Sequence, residues 1–291
     1  MSIKRPWKGN PHPTAAPAVV PAAAFAPPWR WSPRSGRRET PARIQRLTTT
    51  TRTITGGLHI VPRYRIEFKK DGPARYISHL DLVRTLERVM RRAGLPLVFS
   101  RGFNPHPRFS LGAPLPVGVR GEREYLDLEL AGDLPAVEVQ RRLADKLPPG
   151  LAVTGVWPVP PGAPALMATL QGATYRVTAP LAGDLPARDL QHLLQEFLAA
   201  PEIIVCRKTK DGGEKNIDIR PGIHALSGRV EDERVVLEMD LQAGSRGNVR
   251  PEEVVRALAE RGGLPVLVEE MDITRTGLYP VEMGRDGRRV M

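Results

Sequence analysis

The chain carries a single cysteine, Cys206, in 291 residues. That excludes an internal disulfide framework, and it excludes a self-supplied iron–sulfur cluster, which needs several thiolates. Such sparing use of cysteine fits a reducing compartment, so the expected localisation is cytoplasmic. No apolar run reaches the roughly eighteen residues of a membrane-crossing helix, and no membrane partner is expected. Glycine-rich phosphate loops of the Walker or dinucleotide-binding kind are missing, as are His-x-x-x-His and Cys-x-x-Cys spacings. The first absence removes the common nucleotide motifs. The second leaves a metal site built from His79, His106 and Asp81 without support.

What is present in excess is positive charge, at +11 overall, and its location decides its meaning. Residues 1–60 hold ten Lys and Arg against one acid, Glu39, while the remainder holds 33 bases and 31 acids. Beyond residue 60 the imbalance is local: residues 61–110 carry eleven bases and four acids, residues 161–291 carry 17 bases and 20 acids. An anionic partner is therefore expected on the first half of the chain.

Residues 1–60 are rich in Pro, Ala, Arg and Thr without helical or strand periodicity, and read as a disordered basic extension. A signal peptide is disfavoured because Pro17, Pro21, Pro27 and Pro28 interrupt the apolar stretch that follows Lys4, Arg5 and Lys8. A third reading is a translation start at Val61, encoded by GUG behind a purine-rich Thr55-Gly56-Gly57 segment.

From Tyr64 the pattern is regular. Tyr64, Ile66 and Phe68 alternate with charged residues as a strand. Ser78, with Asp81 three residues on, caps a helix whose apolar face is Leu82, Val83, Leu86, Val89, Met90 and Ala93, and Gly94 ends it. Strands are expected at 95–99, 125–130 and 151–159, with a helix at 135–147. That order, strand-helix-strand-strand-helix-strand, is the split βαβ or ferredoxin-like arrangement. After a Pro/Gly/Ala-rich linker at 161–173 the order repeats, through strands near 175–179, 203–207 and 235–241, with a charged hairpin at 208–213, helices around Leu190–Leu198 and after Pro251, and a closing strand at 266–273. The expected fold class is α+β, two tandem ferredoxin-like modules at 61–160 and 174–282, with a tail at 283–291.

The stretch Phe99 to Ser110 is unlike a core segment. Gly102 permits backbone conformations closed to other residues, and Pro105 and Pro107 stiffen the chain and restrict Asn104 and His106 before them. On this loop sit Arg101, Asn104, His106 and Arg108, groups suited to an anion or a base edge. His79, in the first turn of a helix, would add an imidazole where anions are favoured. The expected cluster is Ser78, His79, Arg101, Asn104, His106 and Arg108. Arg275 and Tyr279 are further candidates for stacking on a base, or else close the domain. Asp218 and Arg220 read as an internal ion pair.

The motifs Arg75-Tyr76-Ile77-Ser78-His79-Leu80-Asp81, Arg91 to Pro96, Ser100 to Ser110, Asp218-Ile219-Arg220-Pro221 and Thr274 to Tyr279 resemble the bacterial radical-SAM-linked proteins. Members of that family lie beside, or fused to, B12-binding-type radical SAM proteins, often near ribonuclease E/G and ribosomal protein genes. Arg101 stands where Gln is commoner and Gly112 where Ala is commoner. The resemblance implies a radical SAM partner that carries S-adenosylmethionine and the iron–sulfur cluster, with no cofactor in this chain. It implies no reaction. The leading expectation is an accessory module binding an RNA or ribosome-related substrate through the 100–110 loop, without turnover by the isolated chain. The fold also resembles RAMP-type endonucleases of CRISPR RNA, and a metal-independent RNA-processing enzyme using His79 and His106 is the alternative. A structural protein-interaction domain without nucleic acid is the third.

Overall fold

The computed structural model describes residues 61–209, 211–244 and 247–280. The readings placed on residues 1–60 and on the tail 283–291 lie outside the described residues. The first module runs β1 (Arg63–Lys70), α1 (His79–Arg92), β2 (Phe109–Leu111), β3 (Arg120–Glu129), α2 (Ala136–Ala144) and β4 (Leu151–Val159). Its sheet order is β4-β1-β3-β2 with every pair antiparallel. This is the ferredoxin-like order expected from a split βαβ pair. Alternation puts Tyr64, Ile66 and Phe68 of β1 and Leu126 and Leu128 of β3 on one face, where Leu86, Val89 and Met90 of α1 and Val139 and Leu143 of α2 cover them. Each such side chain contributes about 1.5–3 kcal/mol by leaving water.

After a short helix α3 (Leu166–Thr169), the second module runs β5 (Leu170–Pro180), α4 (Ala187–Ala199), β6 (Ile204–Lys208), β7 (Glu214–Asp218), β8 (Ile223–Glu231), β9 (Arg234–Gln242), α5 (Pro251–Gly262) and β10 (Asp272–Pro280). The order β10-β5-β9-β8 repeats the first module's, and β6 with β7 forms a separate ribbon inserted after α4. The two sheets are one: β10 runs parallel to β3, pairing Thr274 with Arg120 and Arg275 with Gly121.

Four differences from the sequence reading have physical causes. The strand expected at 95–99 is reduced to isolated bridges, Leu97 to Leu130 and Phe99 to Pro107, because the proline-rich loop interrupts it. The regular strand resumes only at β2. The stretch 161–173 holds α3 and the start of β5, since Leu166 and Leu170 are apolar and buried. The closing strand is 272–280, with a 3-10 turn at Val268–Glu270 where the strand had been expected. Finally, the strand expected at 203–207 forms β6 of the separate ribbon, and its place in the repeated order is taken by β8, which was not anticipated and pairs along β9 from Ile223 to Glu231.

Candidate functional site

The loop 99–107 is an excursion from the edge strand of the first module. Val98 N–H donates to the Glu129 carbonyl at 3.3 Å, Glu129 N–H donates to the Arg108 carbonyl at 3.0 Å, and Arg108 N–H donates to the Val98 carbonyl at 2.7 Å. One residue of β3 thus meets the chain on both sides of the loop and pinches its base shut. Inside, Ser100 N–H donates to the His106 carbonyl at 2.8 Å, and His106 N–H donates to the Ser100 hydroxyl at 3.0 Å. Gly102 has φ +136, open only to glycine at low cost, and lets the chain turn at the tip. The tip projects Arg101, Phe103 and Asn104 into solvent, with Phe103 at 102% of its reference exposure.

α1 stands beside this loop. Ser78 caps it, its hydroxyl accepting from Asp81 N–H at 3.1 Å and donating to the Asp81 carboxylate at 2.7 Å. Ser78 is therefore occupied as a cap rather than free as a ligand. The helix turns His79, Val83 and Glu87 toward the loop base. There they line a cavity of about 400 Å³ with His106, Pro107, Phe109 and Leu111 across from them, closed by Gly112, Pro114 and Met167. His79 and His106 share this cavity. The His106 ring nitrogen Nδ1 lies 3.9 Å from the Glu87 carboxylate. Arg91 donates to Glu87 at 2.9 Å and covers the Phe99 ring at 5.0 Å, fastening loop to helix. Arg108 is engaged with Glu129 at 3.0 Å, outside the cavity lining. Arg101 keeps its charge exposed at the tip.

Arg275 and Tyr279 do not join this cluster. Arg275 is 2% exposed and held by both oxygens of Glu124, at 2.8 and 2.5 Å, with further donation to the Ala113 carbonyl at 2.7 Å and the Pro114 carbonyl at 3.2 Å. Burial pulls its pKa down, but the Glu124 charge and the Tyr175 hydroxyl outweigh that and hold it above the ordinary arginine range. Tyr279 donates to Asp240. Both residues close the domain. Asp218 and Arg220 form no side-chain ion pair; Asp218 accepts from the backbone N–H groups of Ile203 at 2.8 Å and Arg220 at 3.0 Å, while the Arg220 guanidinium donates to the Leu198 carbonyl at 2.8 Å. Both still hold the irregular stretch before β8.

The buried charges position the cavity walls. Lys70, 1% exposed, donates to the Ile77 carbonyl at 3.2 Å, two residues before His79. Burial lowers its pKa, with Glu124 opposing and Arg275 adding to the shift. Arg75 donates to the Gly118 carbonyl and to Asp272 of β10, both at 2.6 Å. Arg275 fixes Pro114 on the opposite side. Sequence reasoning missed Val83, Glu87 and Met167. The first two lie four and eight residues after His79, a helical stripe that was readable; nothing in the sequence placed Met167 there. The cavity has apolar walls, two imidazoles and one carboxylate, which suits a planar ring with hydrogen-bonding edges. Among the described residues, no three His, Cys, Asp or Glu side chains gather closely enough to hold a metal.

These features define an α+β protein of two fused ferredoxin-like modules whose candidate site lies at the interrupted edge strand of the first. The chain belongs to the family described as "Uncharacterized protein conserved in bacteria (DUF2344)", whose model matches residues 63–251. No curated protein matches it. Among solved structures, it is similar to a Cbf5-Nop10-Gar1 complex at 14% identity, covering 74% of this chain and 48% of that one with a TM-score of 0.44. A second similarity is to the archaeal box H/ACA sRNP Nop10-Cbf5 complex, at 13% identity, the same coverage and a TM-score of 0.41. A third is to an unknown protein from Galdieria sulphuraria, at 12% identity, 77% and 100% coverage and a TM-score of 0.23. The chain spans about half the length of the first two, at 48%. Likeness at these scores carries no functional weight.

Proposed function

We propose that this chain is an RNA-binding accessory module that works with a radical SAM partner. It holds a single-stranded segment against the 99–110 loop and one unstacked base in the adjoining cavity. The observation that carries the reading is Phe103, a fully exposed aromatic ring on a loop pinned at its base. The exposed ring is free to stack, every base offers a π-face, and stacking contributes about 1–3 kcal/mol per base. Arg101 beside it supplies a charge for phosphate, and the imidazoles of His79 and His106 supply polar groups for a base edge. The partner's identity rests on the motif resemblance. A radical SAM partner would bring S-adenosylmethionine and its cluster, since Cys206 alone cannot ligate one.

The test is a salt titration of fluorescent single-stranded RNA against the full chain and an Arg101→Ala, Phe103→Ala, His106→Ala variant. Because the basic extension is common to both, the difference between them isolates the loop. Weaker binding and a shallower salt slope in the variant support the reading; identical curves overturn it.

A second reading has its own observation: His79 and His106 line one cavity, as a general base and acid would have to. In that case the isolated chain cleaves RNA in the presence of chelator, and either His→Ala change abolishes turnover while leaving binding. The accessory reading predicts no turnover without the partner.

A further inference from the structure

α1 has a second flank. With residues other than those lining the loop cavity, it encloses a groove of about 690 Å³ together with the 3-10 turn Gly72–Tyr76 and the turn that follows α2. The floor is aliphatic, formed by Ile77, Pro73, Pro148 and Pro149, and Arg88, Arg91 and Arg92 line it from the helix.

The charges on that helix are unevenly neutralised. Arg91 meets Glu87 at 2.9 Å. Arg88 reaches only the Thr85 hydroxyl at 3.4 Å, and Arg92 donates to the Lys146 carbonyl at 2.8 Å. Neither Arg88 nor Arg92 meets a carboxylate, and no acidic side chain lines the groove. Two guanidiniums beside an aliphatic floor suit a ligand that brings carboxylates around an apolar anchor.

The composition of the groove selects the occupant. The chain's own termini are excluded by charge: residues 1–60 hold ten bases and one acid, and residues 283–291 hold three arginines and one aspartate. Nucleic acid is disfavoured because no aromatic or amide side chain lines the groove to stack on a base or read its edge. Proline and isoleucine accept leucine-like side chains instead.

We infer that this groove docks an acidic, leucine-bearing segment of another polypeptide, with the apolar residues on the Ile77 and proline floor and the carboxylates on Arg88 and Arg92. An amphipathic helix laid in a groove is the common form of such recognition. The groove shares no lining residue with the loop cavity, meets the loop only through Arg91, which also covers Phe99, and does not depend on RNA binding.

The test measures anisotropy of labelled helical peptides with the full chain. The first peptide carries Leu and Glu at helical spacing, the second has Lys in place of Glu, and the third is polyglutamate of equal charge. The expected result is saturable binding of the Glu/Leu peptide, tighter than polyglutamate, and absent for the Lys/Leu peptide. An Arg88→Glu, Arg92→Glu variant should weaken it about tenfold or more, and Ile77→Glu should weaken it at an unchanged fold by circular dichroism. Phe103→Ala should leave it unaltered. No binding of the Glu/Leu peptide, equal affinity for polyglutamate, or equal binding by the Arg88/Arg92 variant overturns the inference. So does concentration-dependent dimerisation lost in that variant, which would make the occupant a second copy, or RNA that displaces the peptide in competition.

Discussion

Arg275 on β10 is gripped by both carboxylate oxygens of Glu124 on β3, at 2.8 and 2.5 Å, where the two ferredoxin-like modules become one sheet. Its remaining donors hold the carbonyls of Ala113 and Pro114, and Pro114 lines the candidate cavity. A buried pair of this kind gains little over an apolar substitute, but breaking it strands a charge. Arg275→Leu should therefore cost about 3–5 kcal/mol in chemical denaturation. Replacing both partners, Arg275→Leu with Glu124→Leu, should recover part of that loss. A single variant as stable as the parent would show that the pair does not hold the modules together.

Lys70 gives a pH signature. Its folded pKa is lowered from 10.5, chiefly by burial, so the unfolded chain binds the proton more tightly. Stability from this group therefore rises with pH across the window between the folded value and 10.5, as the buried charge is relieved. Denaturation midpoints measured as the pH rises toward 10.5 should show wild type gaining on Lys70→Met. A difference that stays constant, or narrows, would contradict the sign.

Phe103→Ala should leave the melting temperature unchanged, because the ring touches nothing that folding needs. Its effect should fall on RNA, weakening single-stranded binding by about 1–3 kcal/mol. Arg101→Ala should reduce the salt slope by about one with little sequence dependence. A Phe103 variant that melts early would mean that the tip packs against the protein in solution.

Arg91→Ala should loosen the loop without unfolding the domain. The guanidinium fastens Phe99 and Glu87, and both contacts are exposed, so the cost in stability should be about 1 kcal/mol or less. Proton exchange at the amides of Ser100 and His106 should quicken. Unaltered exchange would place the loop's rigidity in its own hydrogen bonds and prolines alone.

The architecture was legible because two modules carry strong periodicities. Tyr64, Ile66 and Phe68 alternate, and Leu82, Leu86, Val89 and Met90 fall at helical spacing, so element type and order followed. What was not legible depended on tertiary pairing. β8 alternates weakly, with Ala225 and Gly228 among its residues, and becomes a strand by pairing with β9. The joining of β10 to β3 has no local signature at all. For the site, loop chemistry singled out His106 and the helix start singled out His79, and the two do share a cavity. Arg275 and Tyr279 were candidates for stacking on a base because of their side-chain types; that Arg275 is buried against Glu124, and Tyr279 bonded to Asp240, depends on strands distant in sequence.

The most direct measurement is photocrosslinking of 4-thiouridine-substituted single-stranded RNA to the full chain, followed by peptide mass spectrometry. Crosslinked peptides from residues 99–110, lost in Phe103→Ala, are the expected result. Crosslinks confined to the basic residues 1–60, or spread evenly over the arginines of α1 with none on the loop, would contradict RNA recognition at this site.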